Sequence, residues 1–86
     1  MRYAVIIKKQ PRKKLLSLEN QLRHRIAEKI EWLGNDPDDP RLDVKKLVGH
    51  PYHRLRVGDW RVIFDRDDYI KIISIEALKP RGDAYK

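Results

Sequence analysis

Residues 52–66 read Tyr-His-Arg-Leu-Arg-Val-Gly-Asp-Trp-Arg-Val-Ile-Phe-Asp-Arg, and their alternation decides the fold. Successive side chains of a strand point to opposite faces. In Tyr52 to Val57, therefore, Tyr52, Arg54 and Arg56 share one face while His53, Leu55 and Val57 share the other. Gly58-Asp59 is a hairpin turn signal, and a second strand follows it. The hairpin thus has an apolar side for a core and a cationic side for a partner. Arg54, Arg56 and Arg61 are spaced to share a neighbourhood. Guanidinium presents fixed, fork-shaped donors that match phosphate, so three arginines on a rigid sheet suit a polyanion.

The 86 residues suffice for one small domain, 1–86, and not for two. Such a chain buries roughly 60–65% of the surface its unfolded form exposes, so its core is thin. Without cysteine it has neither a disulfide framework nor a thiolate metal site. No apolar run approaches the ~20 residues of a membrane span, and there is no signal-peptide apolar segment. A cytoplasmic protein without a membrane partner is the expectation. Twenty Lys and Arg against thirteen Asp and Glu give a net charge of +7, a field that favours nucleic acid or an acidic protein. Lysines that only solvate the surface are the plainer reading of the same charge.

Working outward, residues 2–8 are rich in β-branched side chains and read as a first strand. Pro11 suits the first turn of a helix. Leu15, Leu18, Leu22, Ile26, Ile30 and Leu33 then recur at steps of three or four, the stripe of amphipathic helix. A bend at Ser17–Asn20 divides it into helices over 11–18 and 20–33, with Gly34-Asn35 as the stop. Asp36-Pro-Asp-Asp-Pro40 is an acidic loop that proline keeps irregular. Residues 41–48 read as an irregular lead-in to the hairpin. Asp67-Asp68 is the next turn, 69–77 a further strand that is apolar on both faces and so central, and 79–86 a basic tail. The fold class is α+β: an N-terminal strand, a helical hairpin and a three-stranded antiparallel meander, forming a four-stranded sheet with helices on one face.

This order, the Lys46-Leu47 to Gly49 lead-in, the Arg-Leu-Arg-Val-Gly-Asp-aromatic-Arg hairpin and a final strand followed by Arg and Tyr resemble the RelE/ParE superfamily of bacterial and archaeal toxins. The resemblance covers nearly the whole chain. It implies the toxin of a type II toxin–antitoxin system, with RelE-type members cutting mRNA in the A site of the 70S ribosome. It also implies a cognate RelB-like antitoxin with an acidic toxin-binding segment, and contact with DNA only through that antitoxin. No cofactor is implied. Arg54, Arg56 and Arg61 match the family's hairpin positions, and Arg81 and Tyr85 match its tail. Many relatives carry histidine where this chain has Pro80, so acid–base chemistry by that histidine is not available here.

Metal-free RNA cleavage has the 2′-hydroxyl attack the adjacent phosphorus. It needs a base, cations for the charge building on the phosphate oxygens, and an acid for the 5′-oxygen. Arg56 and Arg61 suit the clamp, and Arg54 the orientation of the phosphate. Arg81 can approach the leaving oxygen but holds its proton too firmly, whereas Lys79, a lysine, is better suited to proton transfer. Tyr85 and Tyr52 suit base stacking, and Lys45 and Lys46 suit RNA phosphates. Each has a plainer reading: solvated arginines, an Arg61 ion pair with Asp59, Asp65 or Asp83, or a Tyr85 that closes the core edge. Trp60 and Trp32 read as packed aromatics, His24 as exposed and His53 as packed on the core. The histidine spacing does not make a metal site. A ParE-like gyrase inhibitor and an inactive member that only binds antitoxin are the alternative functions.

Overall fold

The computed structural model describes residues 2–81. The chain runs β1 (Ala4–Ile7), α1 (Lys9–Ser17), α2 (Asn20–Asn35), β2 (Asp43–Lys46), β3 (His53–Val57), β4 (Trp60–Asp67) and β5 (Ile72–Pro80). The α+β class and the helical hairpin stand as expected. The break between the helices lies at Leu18 and Glu19, both extended. The Glu19 carboxylate caps α2 by accepting from the Leu22 amide at 2.7 Å and the Gln21 amide at 3.2 Å.

The sheet order is β1-β5-β4-β3-β2. β2 through β5 form an antiparallel meander, and β1 lies parallel to β5. The sheet therefore has five strands instead of four. The added strand is Asp43–Lys46, within the segment read as irregular. It pairs with Arg56 back to His53, and its single apolar residue, Val44, gives no strand pattern. Short, lysine-bearing strands of this kind are usual at sheet edges, where they discourage pairing with other chains.

The last strand also differs in extent. Tyr69 and Ile70 belong to the turn, where the Asp67 carboxylate accepts both of their amides at 3.0 and 3.1 Å. Lys71 completes it in the left-handed region at φ 60°. The strand continues instead through Lys79 to Pro80, opposite Arg61 and Trp60. Proline at the end of a strand costs little of the ladder.

One apolar cluster joins the sheet to the helices. Phe64, Ile26, Leu33, Leu55, Ile73, Ile75 and Val62 are fully buried, each contributing about 1.5–3 kcal/mol relative to exposure. Gly34 lies inside the last turn of α2 and does not terminate it; Asp36 caps the helix. The glycine permits close packing against β1: its carbonyl accepts from the Tyr3 amide at 2.7 Å. A β-carbon there would meet Val5 Cγ2 at 2.7 Å.

A charged clasp closes the far end of the sheet. Arg66 donates to Asp38 through both terminal nitrogens, at 2.8 and 3.0 Å, and to Asp68 through Nε at 2.6 Å. The Tyr3 hydroxyl also donates to Asp68, at 2.8 Å. These bonds fasten the acidic loop to β4. The guanidinium holds both carboxyls below their usual 3.8. A carboxyl depressed by folding contributes stability in full above its unfolded pKa, and loses it as pH falls through the folded one. Arg66→Met is therefore expected to lower the urea midpoint at pH 7 and to flatten its decline below pH 4, as read by circular dichroism. Both aspartates are mostly exposed, so added salt should weaken the difference.

Candidate functional site

The register builds two rows across the face of the sheet that carries Arg54 and Arg56. One row runs Asp43, Arg56, Arg61, Lys79, and the next runs Lys45, Arg54, Ile63, Ala77. Directly opposed residues have Cβ atoms about 4.5–5.5 Å apart, and like charges there repel. Three adjacent cations in one row are thus an arrangement that folding alone disfavours.

A β-bulge brings the third cation into that row. Ile63 pairs with Ala77 but Phe64 pairs with Ile75, so the register shifts between them and Glu76 is the extra residue. Ile75 and Leu78 consequently both face the core, 1% and 2% exposed. Without the shift Lys79 would share the face of Ile73 and Ile75. With it, Lys79 stands beside Arg61. Glu76 itself pairs with Lys8 at 3.4 Å.

The hairpin turn fixes the arginines relative to one another. Val57 pairs with Trp60 across Gly58-Asp59, and Gly58 has φ 59°. A positive φ at the first central position alone is the type II′ arrangement, whose twist matches the flanking strands. Arg56 is exposed and donates through Nε to the Gly58 carbonyl at 3.3 Å. Arg61 is half-buried; its Nη1 is fully enclosed and finds no hydrogen-bond partner among the described residues. Of its foreseen partners, neither Asp59 nor Asp65 forms an ion pair with it; Asp83 lies outside the described residues.

Arg54 also has an enclosed nitrogen without a partner among the described residues, Nε, but it is held by an ion pair as well. It shares the face of Arg56, as the alternation requires, but is only 8% exposed and donates through Nη1 to Asp43 at 3.1 Å. Asp43 belongs to the strand the sequence did not reveal, so this pairing had no signal in the sequence.

Lys45 lies opposite Arg54 on the same face. Lys46 lies opposite His53, on the other face, and its Nζ donates to the His50 carbonyl at 3.3 Å. Tyr52 is half-buried at the foot of β3, where its carbonyl accepts from the Leu47 amide at 3.0 Å. Arg81 is exposed beyond β5, its amide bonded to the Asp59 carbonyl at 2.7 Å. Tyr85 lies outside the described residues.

The histidines stand apart from the cation row. His24 and His50 are exposed. His53 stacks on Phe64 with ring centroids 5.3 Å apart. Burial first, then the charges of Lys46 and Arg66, push its pKa below 6.5. The fold thus prefers the neutral ring: this contribution is complete above pH 6.5 and is lost as pH falls through the lower, folded value. Urea midpoints measured from pH 7.5 to 5.5 should decline, and His53→Phe should flatten that decline.

A parallel strand inserted beside an antiparallel meander, a helical hairpin on one face and a cationic row on the other define the RelE-like toxin fold. Solved structures agree. A chain of the archaeal RelE–RelB complex from Pyrococcus horikoshii OT3 is 40% identical with a TM-score of 0.83, covering 98% of this chain and 100% of that one. A chain of the RelB–RelE antitoxin–toxin complex from Methanococcus jannaschii is 28% identical with a TM-score of 0.75, covering 94% and 95%. A double arginine-to-alanine mutant of Escherichia coli RelE in the free state shares the fold at a TM-score of 0.76 and 16% identity, covering 99% of this chain and 88% of that one. No family model and no curated relative matches the chain. The 40% identity over nearly its full length places the chain in the RelE toxin family.

Proposed function

We propose that this chain is a ribosome-dependent mRNA endonuclease, the toxin of a type II toxin–antitoxin system acting in the cytoplasm. The observation that carries the reading is the row Arg56, Arg61, Lys79. In the transition state of 2′-hydroxyl attack, negative charge grows on the non-bridging oxygens of the phosphate. Preorganised guanidinium donors stabilise such charge without having to reorganise. Arg61 and Arg56 bind those oxygens, so the charge role needs no metal ion. The attacking 2′-hydroxyl loses its proton to solvent water, the P–O5′ bond breaks to leave a 2′,3′-cyclic phosphate, and Lys79, beside Arg61, gives a proton to the departing 5′-oxygen. Arg54, held by Asp43, positions the phosphate from the neighbouring row. Arg81 and Tyr85 contribute from the tail, and Tyr52 and Lys45 hold flanking nucleotides. Lys46 serves the RNA from the other face.

The partner that silences it is a RelB-like antitoxin. Relatives crystallised as RelE–RelB complexes support this, and the net charge of +7 suits an acidic segment that folds on binding. The test is primer extension on a reporter mRNA in a translating extract. Cuts within codons that vanish when ribosomes are omitted support the endonuclease. An uncut message with normal translation overturns it, and a supercoiling assay then asks whether gyrase is the target.

A further inference from the structure

We infer that the bound RNA strand does not end at the cation row. It continues over the β3–β4 turn onto a second, backbone-binding subsite formed by Arg25 of α2 and Lys14 of α1. The inference rests on the RNA reading above and extends it to a substrate of several nucleotides.

The turn is the meeting point of the two faces of the molecule. On one side Arg56, first of the cation row, reaches the Gly58 carbonyl. On the other, the Arg25 guanidinium lies against Gly58, its Nη1, Cζ and Nη2 atoms 3.5 to 3.8 Å from where a β-carbon would stand. Next along, Lys14 sits over the Trp60 ring, its Nζ 5.7 Å from the centroid. Trp60 packs on the core, so it acts as a platform that holds the ammonium in place. The turn and both cations are exposed. Neither Arg25 nor Lys14 makes an ion pair among the described residues. Asp59 is the carboxylate of the turn, and it too is exposed.

The helix behind this subsite is built against its own stability. Lys9, Arg12 and Lys13 crowd the start of α1, where no acidic residue stands and no side chain caps the helix. A helix N-terminus carries partial positive charge and disfavours cations. Local rules broken in this way concentrate at functional surfaces. Basic residues therefore extend from Lys79 and Arg61 through Arg56, past the Asp59 carboxylate of the turn and by Arg25, to Lys14 and the first turns of α1. It offers charges without base-reading groups, so it tracks phosphates independently of sequence.

The experiment compares wild type with the Lys14→Ala, Arg25→Ala double variant. The probes are 2′-O-methyl RNAs of three and twelve nucleotides, which resist cleavage, and binding is read by fluorescence anisotropy across a salt series. Both residues are exposed, and unchanged urea midpoints confirm that the variant folds. The expected result is unaltered binding of the trinucleotide, at least tenfold weaker binding of the twelve-mer at low salt, and a shallower log K against log salt plot. The slope should fall by about 0.7 for each phosphate no longer neutralised, and Lys14→Arg with Arg25→Lys should restore it. Equal affinity and equal slope for the twelve-mer overturn the subsite. So does wild type binding the twelve-mer no more tightly than the trinucleotide, or a variant that binds both more weakly to the same degree. Primer extension on ribosomes, in contrast, reads the endonuclease assignment alone, so the two failures are separable.

Discussion

Arg61→Met is expected to slow mRNA cleavage by about 10²–10³-fold, the usual cost of removing one preorganised donor from a developing oxyanion. The same change should leave the protein as stable as before, or more so. Arg61 stands directly between Arg56 and Lys79, where like charges oppose folding. Its Nη1 is enclosed without a partner, and such a donor costs about 1–3 kcal/mol. Methionine keeps the packed stem and removes both penalties. The rate is read from primer extension on stalled ribosomes, and stability from urea denaturation of the same preparation. Undiminished cleavage sinks the assignment. A fall in the urea midpoint makes Arg61 a structural ion instead. Loss of activity with gain of stability is the signature of a site that works against its scaffold.

The second large effect is on the core. Phe64 is fully buried, the largest such side chain in the cluster, and lies in β4 between β3 and β5. Phe64→Ala strips the ring from the middle of the cluster and leaves a cavity that a thin core cannot refill. The expected cost is about 3–5 kcal/mol. For a domain of this size that is a fall in Tm of about 4–8 °C per kcal/mol, much of the stability such domains possess. Phe64→Leu should cost far less. A Phe64→Ala variant within a few degrees of wild type by thermal circular dichroism would show that the cluster is not centred there. The alanine variant also removes the ring on which His53 stacks, so its pH profile should flatten toward that of His53→Phe.

The hairpin and the helices were legible because their patterns are local. Alternation assigned the faces of 52–57, Gly58-Asp59 marked the turn, and the stripe from Leu15 to Leu33 marked the helices. What escaped was non-local. Asp-Val-Lys-Lys at 43–46 has too little apolar content to announce an edge strand, so the partner of Arg54 went unseen with it. Parity misleads along β5: Ile73, Ile75, Ala77 and Lys79 alternate as if sharing a face. Only the bulge opposite Ile63 and Phe64 turns Lys79 out to join the arginines. The composition of one strand does not announce a bulge set by pairing with another. Gly34 read as a helix stop because glycine commonly is one; its close approach to Val5 depends on tertiary packing.

The position of β5 governs when the sheet can close during synthesis. It is the last of the described strands, yet it lies between the first strand and β4. Ala4 waits for Ile72, and Arg61 waits for Lys79. Pairings so distant in sequence form late. While β5 is still inside the ribosome, the emerging chain has an open gap in its sheet and only part of its charged row. Arg61 therefore gains its Lys79 neighbour, and the charged row its third cation, only once β5 is free to pair. The interval also leaves β1 and β4 as bare edges open to wrong pairing.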